Sequence, residues 1–521
     1  MLFNSYLFVF VFFPICLLGY YGLLRGGKAV AARVFLTAMS LWFYGCFNLS
    51  YLLIMVCSIG VNYLFHRLLS RGDAQEEAAG KRPGMSRKTV MILAVAFNLG
   101  VLFYFKYFDF FLASVNGVFG ASFVLRGILL PLGISFFTFQ QISFVVDTYH
   151  GEVQDCPLDE YALFVSFFPQ LIAGPIVNHS EMLPQFEKIG EKKPGWERIA
   201  GGFALFVLGL AKKVLLADTF GAGVDYGYGN IAALGRPDAV LVVLFYALQL
   251  YFDFSGYCDM AVGIGRMLGI EIPENFRAPY RAVNIVDFWK RWHITLNRFF
   301  TKYIYIPLGG SRRGEGRMYL NFLVVFFLSG LWHGAGYHFI LWGMMHGVLY
   351  VATKFWQKRI RPVVFGGQAG ADSRQGEPRE PGTGLGHKIM TVVSQVATFL
   401  YVSIAWVYFR AENIGQANSL LATAFRGKMQ KLSMDLAACF QVDEFWYVIK
   451  VLHLDNLPVS RYILMFVILA AGLYFAMAGK NAAQRVERLT YRAGTAAVIA
   501  VLMVWCVLSF SGVSTFLYFN F

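Results

Sequence analysis

The stretch YFDFSGYCDMAVGIG, residues 251–265, lies inside an apolar run from about 238 to 268 and carries Asp253, Ser255 and Asp259 within it. A run of that length exceeds the ~20 residues that cross a bilayer, so it reads as a membrane helix. Ionisable groups at membrane depth are expensive, so these side chains face a protein interior or a cavity. A polar face of that kind needs neighbouring spans, which points to a helical membrane protein of many passes. Composition agrees: of 521 residues 57% are hydrophobic, 17% aromatic and only 15% charged. Those proportions exclude a disordered chain, a collagen-like repeat and a secreted disulfide scaffold. The seven cysteines (Cys16, Cys46, Cys57, Cys156, Cys258, Cys439, Cys506) are scattered, odd in number and without a CxxC pair. They read as packing residues, with neither a disulfide framework nor a zinc site.

Further apolar runs extend outward from that stretch. Residues 2–24 form a retained first span, and 34–69 are long enough for two short spans about a turn at Asn48-Leu-Ser. Others cover about 89–112, 122–148, 160–177, 200–222, 319–332, 335–353, 388–410, 462–479 and 493–516. At ~20 residues per span this predicts an all-α polytopic chain with ten to twelve transmembrane helices, residues 1–521 forming a single membrane domain. Leu130-Pro-Leu-Gly and Ala173-Gly-Pro predict broken or re-entrant helices, which membranes tolerate inside protein or beside a cavity. Arg67, Arg71, Lys81, Arg82, Arg87 and Lys88 place 69–89 in the cytoplasm and the N-terminus outside. The Gly/Pro/charge-rich segment 354–387 reads as a flexible cytoplasmic linker, 480–492 as another basic cytoplasmic loop, and 411–461 as extracytoplasmic. Within the last, Asp443, Glu444, Phe445, Trp446 and Tyr447 fit an interfacial belt or a partner-docking surface.

Polar chemistry concentrates between 275 and 336. In DFWKRWHITLNRFF (287–300), Asp287, Arg291 and Arg298 recur at about helical spacing beside an apolar stripe of Phe288, Trp292 and Phe299. One interfacial amphipathic helix is predicted, with His293 and Asn297 as an i, i+4 pair over a cavity floor. Between 277 and 317 nine basic residues face two acids, an excess of +7 within a chain of +14. Two readings fit: a topology signal, or a surface for an anionic group such as a coenzyme A phosphate, an acidic carrier protein or anionic lipid. Nothing suggests a nucleic-acid partner. Next comes LWHGAG (331–336), where His333 stands between Trp332 and small residues. A buried neutral imidazole there is a natural proton acceptor near physiological pH. His338 and His346 follow, but no carboxylate accompanies the three histidines, so no metal site is read.

Taken together, YFDFSGYCDMAVGIG, WHITLNRFF, LSGLWHGAG, LPLGISFFTFQ (130–140), FFPQLIAGPI (167–176) and the aromatic ending FLYFNF (516–521) resemble the membrane-bound O-acyltransferase (MBOAT) family. The likeness is strongest to its alginate O-acetyltransferase branch and weaker to the teichoic-acid D-alanyl-transfer branch. One departure stands out: Val-Asn-His-Ser follows Gly174-Pro-Ile, where alginate-type relatives often carry arginine, so alginate itself is not assigned as the polymer.

The resemblance implies helices ringed around a central funnel, with His333 near the membrane midplane and His293 on the cytoplasmic side. It implies an O-acyltransferase, in this branch an acetyltransferase, in a bacterial plasma (inner) membrane. An acetyl-coenzyme A, another acyl thioester or an acyl carrier would donate from the cytoplasm, with no bound cofactor. An extracytoplasmic SGNH-hydrolase-like acetyltransferase partner would pass the group to hydroxyls of an exported or cell-wall polysaccharide. His333 is then the candidate base, as general base or as a transient acyl-imidazole, and His293 and Asn297 orient the thioester or stabilise developing charge. Trp292, Trp332, Asp259 and Arg298 are the candidate substrate contacts. Two other classes compete: a transporter for an acylated or anionic small molecule, disfavoured by the lack of an internal repeat, and a non-catalytic scaffold for an acetylation complex.

Overall fold

In a bilayer the backbone must satisfy its own polar groups, and apolar runs of this length do so as helices. The computed structural model describes residues 1–70, 85–153, 155–191, 194–364, 385–440, 447, 449–453, 459–490, 492–512 and 516–517, and every regular element among them is helical. Among the described residues, seven helices are long and apolar enough to cross a membrane: Phe8–Arg25, Leu49–Ser70, Arg87–Phe119, Trp196–Gly229, Arg236–Met267, Lys388–Arg410 and Val459–Met477. Ala29–Gly45 and Ala493–Leu508 are shorter apolar helices. The chain is an all-α, multi-pass membrane protein. Residues 71–84 and 365–384 of the two predicted linkers, Asp443, Glu444, Phe445 and Trp446, and 518–521 of the aromatic ending lie outside the described residues.

The predicted turn near Asn48 is present: Ala29–Gly45 ends, Leu49–Ser70 begins, and Asn48 Oδ1 accepts the Ser50 N–H at 2.8 Å. Two predicted runs are not single spans. Residues 120–133 are not helical, and the helix Ile134–Tyr149 starts only after Gly133 at φ 71°. A side chain at Gly133 would be strained, and its Cβ would lie 2.8 Å from the Leu171 carbonyl oxygen. The 160–177 run breaks at Phe167 (φ −51°, ψ 107°) into Leu158–Ser166 and Phe168–Leu171, Pro169 sitting in the first turn of the second helix. Residues 354–364 of the expected linker are helical. Helical chain continues through Trp356–Ile360 and Arg361–Val364, where Lys358 and Arg359 both pair with Glu315, at 2.8 and 2.9 Å.

The chain forms two compact units. The first comprises Met1–Val214, Phe254–Glu274 and Ala482–Phe521. Within it, Trp196–Ala211 crosses the C-terminal part of Arg236–Met267 with backbones in contact. A Cβ on Gly209 would lie 2.6 Å from the Gly256 oxygen, and one on Gly263 2.6 Å from the Gly202 oxygen. This crossing brings Lys212 Nζ to 2.5 Å from Asp259 Oδ2. Buried polar side chains also bind other helices of this unit: Asn98 Nδ2 donates to Asn62 Oδ1 at 2.6 Å, and His179 lies 3.0 Å from Asp147.

The second unit comprises Leu215–Asp253 and Asn275–Asn481. Its framework is a hairpin of Glu315–His333 and Tyr337–Phe355 joined by the extended Gly334-Ala-Gly336. Gly330 and Gly343 let the two backbones touch, since a Cβ on either would fall 2.4 Å from a carbonyl oxygen of the other helix. Only residues without side chains allow so close an approach.

Candidate active site

Both motif histidines belong to the second unit. His333 is the last residue of its helix, 3% exposed, and is aimed by the glycine-packed hairpin. Its ring lies 4.9 Å from Trp332, 5.1 Å from Trp342, 5.1 Å from Phe409 and 6.4 Å from His293, centroid to centroid. Aromatic rings thus enclose an imidazole pair and give it a dry surrounding.

His293 is reached by a different route from the one predicted. Instead of one amphipathic helix over 287–300, the structure has two, Ile285–Arg291 and Ile294–Phe300, broken at Trp292 and His293. His293 adopts φ 46°, ψ 52°, a left-handed conformation costing roughly 1–2 kcal/mol for a residue with a side chain. Contacts from Asn275 offset that cost. Its backbone oxygen accepts the Ile294 N–H at 3.0 Å, while its Oδ1 accepts the Thr295 N–H at 3.2 Å and the Thr295 hydroxyl at 2.9 Å. The same Oδ1 stands 3.2 Å from His293 Nδ1. A backbone amide can only donate, so the atom shared by Thr295 and His293 is the amide oxygen. His293 Nδ1 therefore carries the proton and Nε2 presents the lone pair. Burial pushes the imidazole pKa down to about 3, so it is neutral at physiological pH.

The other predicted site residues separate into groups. Trp332 stays with the pair, 6.1 Å from the His293 ring. Trp292 is buried between Trp406 at 4.9 Å and Phe276 at 5.0 Å, so the predicted apolar stripe packs into protein. Asn297 does not share a floor with His293; its Nδ2 turns back to donate to the carbonyls of Trp289 (2.6 Å) and Trp292 (2.8 Å). It staples the two short helices together, filling acceptors that the first helix leaves open at its end. Arg298 is exposed. Asp259 lies in the first unit, paired with Lys212.

Four residues without a predicted role complete the cluster: Asn275, Trp342, Phe409 and His346. His346 is fully buried, with Trp289 and Trp342 each 5.1 Å away, and neither of its ring nitrogens has a hydrogen-bond partner among the described residues. His338 rests half-buried on Phe339. WGMMHG (342–347) carries the signal for Trp342 and His346, which stand one helical turn apart. Asn275 offers no comparable signal, because its role depends on a backbone break that periodicity does not show.

Residues 148–369, which include Asn275, His293, His333 and His346, match the sequence profile of the MBOAT, membrane-bound O-acyltransferase family. The peptidoglycan O-acetyltransferase of Helicobacter pylori is 38% identical over 447 residues, covering 81% of this chain and 79% of the relative. The chain belongs to the membrane-bound O-acyltransferase family. A probable alginate O-acetylase AlgI of Pseudomonas aeruginosa is 37% identical over 422 residues, 80% of this chain and 73% of that protein. The teichoic acid D-alanyltransferase of Bacillus subtilis is similar over a shorter stretch, 29% identical across 238 residues, 44% of this chain and 60% of that protein. As an MBOAT member the chain is an O-acyltransferase.

Proposed function

We propose that this MBOAT protein transfers acetyl groups from a cytoplasmic thioester, acetyl-coenzyme A or an acyl carrier, toward hydroxyls of an exported or cell-wall polysaccharide. The carrying observation is the pair itself: His333 and His293, 6.4 Å apart, both buried among aromatic rings. A thioester is already activated, so transfer needs a base for the attacking hydroxyl, a donor for the oxyanion and exclusion of water. His333 takes the hydroxyl proton as the new C–O bond forms. When the C–S bond breaks, the same proton goes to the departing thiolate, so the imidazole returns neutral. His293 contributes a second neutral ring of fixed tautomer that orients the thioester. Because the donor brings its own activation, no resident cofactor is required.

The names of the relatives support the acceptor class: one acts on peptidoglycan, another on alginate. The acceptor hydroxyl that reaches His333 belongs to an extracytoplasmic SGNH-hydrolase-like partner, which completes transfer to the sugar. Segment 411–461 faces that partner, and the protein resides in the bacterial plasma membrane. The test is complementation of a deletion strain with wild type or His333→Ala at equal membrane abundance. Acetyl content of cell-wall and exported polysaccharide should be restored only by wild type. Restoration by His333→Ala would remove His333 from the mechanism.

A further inference from the structure

Between the two histidine-bearing helices lies a segment to which the chemistry so far gives no task. Residues 305–313 line a cleft of about 430 Å³, among them Tyr305, Gly309, Gly310, Ser311, Arg312 and Arg313. Gly309 (φ 103°) and Gly310 (φ 54°) take conformations that side chains resist, and a Cβ on Gly309 would fall 2.8 Å from the Arg313 side chain. The loop is held from beneath. Asn321, 1% exposed, donates Nδ2 to the carbonyls of Gly310 (3.0 Å) and Leu308 (3.4 Å), drawing those oxygens inward. Further amides are used in internal turns: Gly309 to Ile306 O, Gly310 to Tyr305 O and Arg312 to Gly309 O. What remains for a ligand is cationic side chains on a loop of fixed shape.

The charge balance is one-sided. Glu315, the acid next to the loop, is occupied by Lys358 Nζ at 2.8 Å and Arg359 at 2.9 Å, which bring more positive charge than they cancel. Arg312, Arg313 and Arg317 have no carboxylate partner among the described residues. Two arginines in the cleft wall, with Arg317, Lys358 and Arg359 nearby in sequence or through Glu315, fit a ligand of more than one negative charge. Arginine forks match phosphate oxygens in geometry as well as charge.

We infer that the 305–313 cleft is a binding site for a phosphate ester, held by Arg312 and Arg313. Its position suits a phosphate at the far end of a long arm, since the twelve steps of chain from His293 to Tyr305, the near edge of the cleft, rise roughly 18 Å at 1.5 Å per residue. A phosphorylated thioester donor anchored here would extend its acyl end toward the histidine pair, an assignment that rests on the proposed transfer reaction. An anionic phospholipid headgroup offers the same phosphate chemistry, so the two sources are separated by experiment.

The purified full-length chain in detergent micelles is titrated with adenosine 3′,5′-bisphosphate, and in parallel with dioctanoyl phosphatidylglycerol. Adenosine and dioctanoylglycerol serve as phosphate-free controls. At least one phosphate-bearing probe should bind wild type, bind Arg312→Ala/Arg313→Ala at least tenfold more weakly, and recover with Arg312→Lys/Arg313→Lys. The affinity should also fall as salt is raised. Binding of the bisphosphate supports the soluble donor as source, and binding of the glycerophospholipid alone supports a headgroup. Binding of neither probe, or equal binding by wild type and the double alanine variant, overturns the site. His333→Ala should bind the probes as wild type does, so a failed transfer reaction and a failed phosphate site give different results.

Discussion

At the scale of single residues, Asn275 sets the tautomer of His293, and the proposed transfer depends on it. Replacing Asn275 with aspartate puts a carboxylate beside the ring, which favours imidazolium and raises its pKa. Asn275→Asp should therefore lower transfer at pH 7 at least tenfold and make it climb with pH between 6 and 8. Wild type, whose His293 pKa lies near 3, should show no such rise from this group, as a pH–rate profile will report. The same burial affects stability. Unfolded, the imidazole takes up its proton near pH 6.5, and folded only near 3. Its contribution is complete above about 6.5 and is lost as the pH falls toward 3. Thermal midpoints in detergent should drop between pH 7 and 5, with a shallower slope in His293→Gln.

Among elements, the hairpin of Glu315–His333 and Tyr337–Phe355 does the positioning, and glycines make it possible. Gly330→Leu should separate the helices, cost about 3 kcal/mol or more and reduce the yield of monodisperse protein, readable by size-exclusion chromatography and thermal unfolding. His333→Gln, which keeps most of the side-chain volume and the helix-to-helix backbone contact, should lower both measures less than Gly330→Leu does. Sequence was informative about this level to an uneven degree. The interruptions at 130–133 and 173–175 were readable because proline and glycine restrict or free the backbone wherever they stand. The break at His293 was not, since the 3.6-residue pattern of Phe288, Trp292 and Phe299 runs straight through it. A long-range contact from Asn275, eighteen residues away, stabilises that break. The Gly330–Gly343 approach was hidden for a similar reason, since a glycine's neighbours are set by how helices pack. The histidines themselves were legible because polar residues in apolar runs carry a cost that membranes make visible.

For the molecule as a whole, half of the +14 charge falls between 277 and 317, and the predicted topology puts that stretch in the cytoplasm with 411–461 outside. Ser311 and Met429 are both exposed, so each can report its side of the membrane. In a background lacking the seven native cysteines, Met429→Cys should react with an impermeant maleimide in intact spheroplasts. Ser311→Cys should react only after permeabilisation. The opposite pattern would reverse the orientation and move the donor entrance to the other side.

The central claim is that the buried histidine pair performs the acyl transfer. Membrane vesicles supplied with a radiolabelled acetyl thioester, the chain and the proposed polysaccharide-acetylating partner test it most directly. Label reaching the partner or polymer should fall at least a hundredfold in His333→Ala and strongly in His293→Ala at equal folded protein. Transfer within a few-fold of wild type in His333→Ala would contradict the account.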